Sequence, residues 1–410
     1  MSQAFPSLGS FPPPQLLADP YPFYAMLRAT NPVFRLPVGD AASPGVWLLT
    51  RHADVHAVLR DGRFSVDRRR ARIIQDNMDR LPIGMALGPE GGLRTMLVMD
   101  PPDHTRVRGL VSKAFTPRRV AALRPRIEQI VDELLGEASE RGSMDVIADF
   151  AAPLPAIVIA ELLGVPAEDH REFKQWSTEL VSAVGAGNPL AMREQFEKAF
   201  GRLLDYLRGV IAERRRVPAD DLISGMIEAQ EERDALSDVE LLATSNLLLL
   251  AGHETTTNLI GNGTLALLRN PSELARLRAD RALLPAAIEE LLRYDSPVQA
   301  TVRVATEDVE IGRQRIPAAA LVITGIGAAN RDPAAFRDPD RLDLGRCDNH
   351  HVSFGFGVHF CLGASLARLE AELAFGALLA RFPRLELASE AVSYRSNLIL
   401  RGLNALPVRC

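Results

Sequence analysis

Residues 354–364 read FGFGVHFCLGA, and this stretch decides the fold. It places Cys361 in a glycine-rich bend, two residues after His359. The residues that follow are helix formers with apolar spacing, so we expect a helix over 361–382 with the cysteine at its entrance. There, backbone N–H groups and the helix dipole favour a thiolate over a thiol. Such a cysteine could be a metal ligand, a nucleophile or a redox thiol, although a lone cysteine is usually a small buried side chain.

The glycines around Cys361 favour one of these alternatives. Glycine is needed where φ is positive or where another body lies against the main chain. Three glycines surround the sulfur: Gly355, Gly357 and Gly363. Apolar walls could come from the neighbouring phenylalanines: Phe354, Phe356 and Phe360. A flat ligand with an acidic edge within reach of His359, such as an iron porphyrin with its two propionates, fits this arrangement.

The segment resembles the cysteine-ligand loop of the cytochrome P-450 family, whose pattern is F-G-x-G-x-H/R-x-C-x-G. Every fixed position of that pattern is present. The resemblance implies haem b as the cofactor, with the Cys361 thiolate as the axial ligand of its iron. Further loop residues implied to bind the haem are Phe354, Gly355, His359 and Gly363.

A second motif lies in a long helix predicted between Ser237 and Pro271. Ser237 and Glu240 have the spacing of a capping box, and Asn270 with Pro271 provides a stop. About 32 residues at 1.5 Å each give roughly 48 Å, enough to cross a domain. Its middle reads AGHETT at 251–256, where a glycine permits close approach and Thr255 can donate a hydrogen bond to the Ala251 carbonyl. A buried helix with a packing glycine would explain this run equally well.

Together with Cys361, the run resembles the family's oxygen-activation motif, A-G-x-D/E-T-T. The resemblance implies that Ala251 and Gly252 leave room for dioxygen beside the iron. It further implies that Thr255 hydrogen-bonds to the oxygen being activated and that Glu254 relays protons from solvent. The acid is Glu where Asp is commoner, which keeps the carboxylate but lengthens the side chain by one methylene.

Glu290 and Arg293 lie three residues apart on one predicted helix. Alone, such a pair is usually a surface ion pair worth a few tenths of a kcal/mol. It also matches the family's E-x-x-R pattern, whose pair is buried and ties the helix to the irregular segment at 330–349. The resemblance implies Arg341 as the partner there and gives all three residues a supporting role.

Four further side chains could meet the haem propionates, because buried carboxylates need cationic partners. These candidates are His104, Arg108, Arg303 and His359. His104 and Arg108 are one helical turn apart and so share a face.

Composition limits the class of protein. The chain has 410 residues, 47% hydrophobic and 24% charged, with a net charge of -5, which is ordinary for a globular protein and argues against nucleic-acid binding. Three unpaired cysteines indicate a reducing cytoplasm rather than a disulfide framework. The N-terminus lacks signal-peptide features, and no apolar run approaches the ~20 residues that span a bilayer. We therefore expect a cytoplasmic monomer without a membrane anchor.

Helical periodicity dominates, so the predicted fold class is mainly α with small β-sheets. The resemblance implies a triangular helical prism with the haem between the long helix and the cysteine-loop helix. We expect one domain over 1–410, with a β-containing lobe at approximately 30–60 and 297–330. Predicted helices are 22–30, 53–60, 102–115, 117–140, 144–163, 168–184, 191–216, 220–230, 238–269, 271–279, 285–294 and 361–382. Predicted strands are 33–36, 46–49, 302–304, 309–311, 315–316 and 321–324. The weakly periodic segment at 64–99 is expected to be either disordered or functional, and the resemblance implies that it lies over the distal face of the haem and helps to shape the substrate pocket.

The predicted activity is that of a haem-thiolate monooxygenase, which inserts one oxygen atom of dioxygen into a C–H bond or an alkene. The chain contains no flavin, nicotinamide or iron–sulfur motif, so electrons must come from a separate ferredoxin or flavodoxin with its reductase. We expect that partner over the cysteine loop, at Arg106, Lys113, Arg118 and Arg119.

Three alternatives remain. A peroxide-driven peroxygenase and a non-catalytic haem-binding protein are both disfavoured by the Glu254–Thr255 pair, because neither needs a proton relay. A structural role for Cys361, without haem, predicts a colourless protein.

The substrate pocket is expected to be apolar, and its substrate hydrophobic: a terpenoid, fatty acid, steroid, macrolide or aromatic compound. By resemblance, the pocket residues are Met85, Leu87, Val181, Leu247, Leu248, Val298, Ala300 and Leu398.

Overall fold

The computed structural model describes residues 14–36, 43–77, 93–169, 172, 176, 189–229 and 235–410. Within these ranges the chain is mainly helical, as predicted. The helices are α1 Pro14–Ala18, α2 Tyr21–Thr30, α3 His52–Arg60, α4 Arg72–Asn77, α5 Asp103–Ala114, α6 Pro117–Ala122, α7 Arg124–Arg141, α8 Pro153–Leu163, α9 Pro189–Arg216, α10 Leu222–Glu228, α11 Asp238–Arg269, α12 Pro271–Ala279, α13 Leu284–Tyr294, α14 Ile326–Ala329 and α15 Ala364–Arg381. The strands are β1 Val33–Arg35, β2 Val46–Leu49, β3 Phe64–Ser65, β4 Ser143–Asp145, β5 Ala300–Ala305, β6 Val309–Ile311, β7 Gln314–Ile316, β8 Leu321–Gly325, β9 Glu386–Leu387 and β10 Pro407–Arg409.

The main sheet has the strand order β1-β2-β8-β5-β3. The predicted hairpin of β1 and β2 is confirmed, with Val33 opposite Leu49 in an antiparallel register. Strand β2 then pairs in parallel with β8, which joins the beginning of the chain to the residues after 320. Two small sheets, β4-β10-β9 and β6-β7, complete the set found in the described residues.

The long helix α11 has the predicted bounds of Asp238–Arg269. The Ser237–Glu240 capping box is present at its start, and Asn270 ends it. Most of its side chains are buried, and it packs against α8, α9, α13 and α15. This burial on several sides is the arrangement expected of a helix through the centre of a domain.

Three predicted helices were wrong in part. The helix expected over 117–140 is divided at Leu123 into α6 and α7, because Pro125 lacks an N–H and can begin a helix but not continue one. The segment 144–163 begins as strand β4 and a π-helical turn at Val146–Ala151 before α8 starts. The helix after the cysteine begins at Ala364, not at 361, with Gly363 at its N-cap. Most of the helix expected over 168–184 lies outside the described residues.

The segment Val146–Leu163 is the one described segment apolar and long enough to cross a membrane by length and composition. However, 72% of it is buried inside the fold, against α7 and α11. Its apolar surface therefore contributes to the largest core cluster, which joins α5, α7, α8, α9 and α11.

Candidate active site around Cys361 and the long helix

The cysteine loop is shaped by two glycines with left-handed backbone angles. Gly355 has φ 71° and Gly357 has φ 73°, where other residues are strained. A Cβ at Gly357 would lie 2.8 Å from the Leu59 carbonyl oxygen, so α3 presses directly on the loop. The Cys361 N–H donates to the Phe354 carbonyl at 2.9 Å and closes the bend. The third glycine, Gly363, has nothing within 4 Å of its Cβ position, which leaves that side of the loop open to a flat ligand.

The Cys361 thiol is exposed at the end of this loop. Desolvation by the surrounding protein raises its pKa, whereas the Gly363 N–H and the Arg108 and Arg368 guanidinium groups lower it. Desolvation is the larger effect, so the protein alone does not favour the thiolate as the sequence predicted. A metal ion would supply the missing stabilisation, because a coordinated thiol loses its proton.

The four predicted cations converge beside the loop. The His104 and His359 rings are 4.1 Å apart between centroids, and Arg108 donates to the Phe360 carbonyl at 2.6 Å. The pKa of His359 is lowered to about 3. Burial is the largest cause, and the charges of His104, Arg303 and Arg108 add to it. Arg303 is buried, and mainly for that reason its pKa falls to about 10.

In the described residues, one carboxylate acts on this cluster: the charge of Asp100 influences His104 and Arg303 without contacting them, and its oxygens accept hydrogen bonds from Ser65 and Val66. None of the four cluster side chains makes an ion pair with a carboxylate in the described part of the chain. His104 is 2% exposed, and neither of its ring nitrogens has a hydrogen-bond partner there. Buried guanidinium groups are costly without counter-charges, and burial together with the same excess of positive charge lowers the pKa of His359, so a ligand with two carboxylates beside Cys361 fits these residues. The site therefore fits haem.

The middle of α11 has an accessible side formed by Ala251 and Thr255. The Thr255 hydroxyl donates to the Ala251 carbonyl at 3.1 Å, as predicted. Gly252 lies on the side of α11 that packs against α8, because a Cβ there would lie 2.9 Å from Cγ1 of Ile159. The position of its missing side chain is thus occupied by a neighbouring helix rather than open for a small ligand.

Glu254 is buried and paired with a residue that the sequence analysis missed. Its Oε1 accepts a charge-assisted hydrogen bond from Nη1 of Arg395 and lies 3.4 Å from Nδ2 of Asn258. Arg395 is 141 residues away in sequence, in an irregular segment near the C-terminus. No local pattern indicated this contact.

The Glu290–Arg293 pair lies beneath the site, and both side chains have zero exposure. Arg293 donates to Glu290 at 2.7 and 2.8 Å and to the carbonyls of Asn330 and Pro339 at 2.8 Å each. The assignment of Arg341 needs correction. Its side chain is exposed and only its carbonyl accepts from Arg293, at 3.3 Å. The side chain that reaches Glu290 is Arg346, with Nε 3.0 Å from Oε2.

A second ion pair, which the sequence analysis did not predict, holds the cysteine loop at Phe354. Arg368 on α15 donates to Glu289 at 2.7 and 2.8 Å, and its guanidinium lies 4.5 Å from the centre of the Phe354 ring. His351 contacts the same carboxylate at 3.1 Å. Burial raises the pKa of Glu289, but the hydrogen bonds from Arg368 and His351 outweigh it and lower the value to about 2. Phe354 is thus fixed between α13 and α15.

The expected pocket residues are only partly within the described structure. Met85, Leu87 and Val181 lie outside the described residues. Leu247 and Leu248 are buried on α11, Val298 bridges to Leu400, Ala300 begins β5, and Leu398 is 36% exposed.

Among the four cations expected to form the docking patch, Arg106 and Arg119 make ion pairs with carboxylates. Arg106 pairs with Glu240 on α11, and Arg119 pairs with Asp220 at 2.5 Å. Arg118 is exposed on α6.

Comparisons with known proteins agree with this geometry. The family model "Cytochrome P450" matches residues 31–397. The chain is 46% identical over 390 residues to cytochrome P450 107B1 of Saccharopolyspora erythraea, covering 94% of each chain. It is 44% identical over 394 residues to vitamin D(3) 25-hydroxylase of Pseudonocardia autotrophica, covering 95% of this chain and 93% of that one. The crystal structure of the myxobacterial cytochrome P450 CYP267B1 with myristic acid superposes with a TM-score of 0.87 at 40% identity, covering 98% of this chain and 99% of that one.

Proposed function

The chain belongs to the cytochrome P450 family, and from that premise we propose which of its residues carry the haem-thiolate monooxygenase reaction. Cys361 would ligate the iron of haem b, and His104, Arg108, Arg303 and His359 would hold its propionates. The observation that carries this assignment is the cluster of four cation-capable side chains without carboxylate partners among the described residues, beside an exposed cysteine.

When bound, the haem supplies the chemistry: one oxygen atom of dioxygen enters a C–H bond or an alkene and the other leaves as water, with uptake of two electrons and two protons. Cys361 Sγ would hold the iron as a thiolate, and the Gly363 N–H, Arg108 and Arg368 would stabilise its negative charge. Gly363 leaves one side of the loop open beside the sulfur.

Glu254 and Thr255 manage protons. The Thr255 hydroxyl has one donor and two acceptor sites, so while it donates to Ala251 it can still accept from a water molecule. Glu254 takes a proton from solvent and a water molecule carries one on to Thr255 Oγ1, which would donate its own proton to the oxygen that leaves as water. Neither residue changes its protonation over a full cycle. General acid–base groups placed in this way contribute about 100- to 10,000-fold in rate.

The substrate is a hydrophobic small molecule. Support comes from the apolar character of Leu247, Leu248, Val298 and Ala300. Further support comes from two relatives, one named for vitamin D(3) and one crystallised with myristic acid. Testing steroid, fatty-acid, macrolide and terpenoid panels for a high-spin shift of the Soret band would identify the class. A panel in which only charged, water-soluble compounds shift the band would contradict the proposal.

Electrons come from a separate ferredoxin or flavodoxin, which docks over the cysteine loop. Three exposed apolar side chains there offer a contact surface: Phe356, Val358 and Phe360. Arg118 adds positive charge, whereas Arg106 and Arg119 are already paired. Arg118→Glu should slow reduction by a surrogate ferredoxin, and an unchanged reduction rate would remove Arg118 from the docking surface.

We also infer a single domain over 1–410, monomeric and cytoplasmic. The uninterrupted family match and three free cysteines support this inference. Size-exclusion chromatography with light scattering tests the oligomeric state.

One spectrum tests the main assignment. The reduced, carbon-monoxide-bound holoenzyme should show the red-shifted Soret band of thiolate ligation, and Cys361→Ser should abolish it. A normal band in Cys361→Ser would refute Cys361 as the ligand. Turnover with hydrogen peroxide, but none with a ferredoxin system, would instead favour a peroxygenase.

A further inference from the structure

The segment 394–403 forms a hairpin near the C-terminus, which we call the C-terminal hairpin. Tyr394 and Leu403 bridge its base, and the Arg395 N–H donates to the Gly402 carbonyl at 2.9 Å. The hairpin is also joined to the chain before β5, because the Gln299 N–H donates to its Ile399 carbonyl at 2.7 Å. Its tip carries Leu398, one of the proposed pocket residues. The hairpin therefore connects the proposed pocket, at its tip, to the long helix α11, at its base.

The base contacts one stripe of the long helix α11. The stripe consists of three residues spaced one turn apart: Glu254, Asn258 and Asn262. Glu254 pairs with Arg395, and Nδ2 of Asn262 donates to the Arg401 carbonyl at 3.0 Å. Between them, a Cβ at Gly402 would lie 1.9 Å from Oδ1 of Asn258, so the Asn258 side chain packs directly against the hairpin backbone there. The proposed proton-relay acid is thus one of three points that attach the hairpin to α11.

The two members of the ion pair differ in their access to solvent. The Glu254 side chain is 8% exposed and that of Arg395 is 28% exposed. A buried carboxylate depends on its cation, because the pair's attraction offsets the cost of removing the charge from water. Arg395 can instead be rehydrated if it moves outward, since its guanidinium lies at the edge of the fold. The arginine is therefore the member that can leave.

We propose that Arg395 is a positioning residue that restrains Glu254 until a substrate displaces the C-terminal hairpin. A substrate that presses on Leu398 shifts the hairpin and draws Arg395 away, and Glu254 then turns towards Thr255. Before the substrate arrives, the ion pair keeps the acid attached to the hairpin and limits its proton supply. This inference rests on the proposed role of Glu254 in the monooxygenase reaction.

The test uses the holoenzyme without added substrate, so it needs no knowledge of the substrate. Dioxygen consumption is driven by a surrogate ferredoxin with its reductase, in water and in deuterium oxide. Arg395→Gln should raise the substrate-free consumption about tenfold, whereas Arg395→Lys should stay close to wild type. In the Arg395→Gln/Glu254→Gln double variant, consumption should return to the level of Glu254→Gln alone, because the restraint acts only through the acid.

Arg269→Gln is the matched control. Arg269 also joins α11 to the C-terminal segment, by donating to the Glu390 carbonyl at 3.2 Å, but it lies outside the hairpin. A second readout is independent of turnover: the urea midpoint should fall in both single variants, and in the double variant by less than the two decreases combined. Rescue by lysine and this non-additivity together distinguish a restraint on Glu254 from general loosening.

Three results would overturn the inference. Arg395→Gln could consume dioxygen at the wild-type rate, Arg269→Gln could raise consumption equally, or the Arg395→Gln and Glu254→Gln effects could multiply independently. If Arg395→Gln has no effect but Glu254→Gln lowers dioxygen consumption and its solvent isotope effect, the restraint by Arg395 is refuted while the relay role of Glu254 stands. If Glu254→Gln changes neither quantity, the proposed relay fails and the inference fails with it.

Discussion

Nε of Arg293 lies 2.7 Å from Oε2 of Glu290, and neither side chain has any exposed surface. Removing Arg293 leaves Arg346 as the remaining cation on Glu290, but it deletes two buried charge-assisted hydrogen bonds and the donor to two carbonyls, which together cost about 3–5 kcal/mol. Arg293→Gln should therefore lower the free energy of unfolding of the holoenzyme by about that amount, measured by urea denaturation. Arg293 also donates to two carbonyls in the segment after α14, so haem retention should fall with stability.

An exposed pair provides the control for this substitution. Arg276 is 45% exposed and lies 3.4 Å from both Glu273 and Asp343. Such surface pairs contribute about 0–1 kcal/mol, so Arg276→Gln should have a small effect. Equal losses in the two variants would mean that the buried pair has no special supporting role.

Glu370 on α15 leads to a prediction about pH. Its carboxyl group is 1% exposed, and neither oxygen has a hydrogen-bond partner among the described residues. Burial raises its pKa from 4.5 to about 8, and the nearby Thr256 hydroxyl offsets only part of that shift. Between these two values the folded protein keeps a proton that the unfolded chain releases. The contribution is therefore fully present below about pH 4.5 and is lost as the pH rises through about 8.

Glu370→Gln should remove this dependence, because glutamine resembles the protonated acid at every pH. Relative to the variant, the wild type should lose up to about 1.4 kcal/mol of unfolding free energy per pH unit across that window. Urea denaturation at several pH values measures the difference, and Glu372→Gln on the same helix shows the effect of such a substitution at a half-exposed site. A constant difference between wild type and Glu370→Gln would show that Glu370 does not bind a proton in the folded state.

How much of this molecule could be predicted from sequence depends on how local the signals are. Helix α11 had a capping box at one end and Asn270–Pro271 at the other, so its bounds were predicted to the residue. The cysteine loop was likewise identified from consecutive residues. In contrast, Arg395 pairs with an acid 141 residues away, and its own segment has no period that indicates which side chain points inward.

The same limit explains the error at Arg341. Arg341 and Arg346 both lie in an irregular segment, where no helical or strand periodicity distinguishes inward from outward positions. Packing against α13 decides the choice, and Arg346 is the one that reaches Glu290. Strands β3 and β9, of two residues each, are too short to show any alternation.

The cation cluster predicts how firmly haem is held. Arg303 is 7% exposed, donates to the neighbouring Val302 carbonyl and makes no ion pair within the described residues, so its charge is available to a propionate. A hydrogen bond to a charged group contributes about 1.5–3 kcal/mol, so Arg303→Gln should speed haem loss roughly tenfold or more. Transfer of haem to an excess of an apoglobin measures the rate. Arg315→Gln on β7, where the side chain is 79% exposed, should leave the rate unchanged; equal acceleration by both variants would refute the assignment.

The last prediction concerns the reason for glycine at position 252. Alanine is more favourable than glycine in a helix by about 1 kcal/mol, and an added methyl group at Gly252 would lie 2.9 Å from Cγ1 of Ile159. Overpacking of this kind costs about 1–3 kcal/mol, so Gly252→Ala should be neutral to destabilising. Gly209→Ala on α9 is the matched control, because nothing lies within 4 Å of its Cβ position and it should gain the full helix preference.

A double variant then separates packing from oxygen handling at Gly252. Ile159→Ala removes the crowded atoms, so Gly252→Ala should cost less stability in its presence than in the wild-type background, as measured by urea denaturation. If Gly252→Ala instead matches Gly209→Ala in stability while lowering product formed per dioxygen consumed, the glycine serves the oxygen side of the helix. The contact with Ile159 would then be incidental, and the role implied by the family pattern would hold at Gly252 as well as at Ala251.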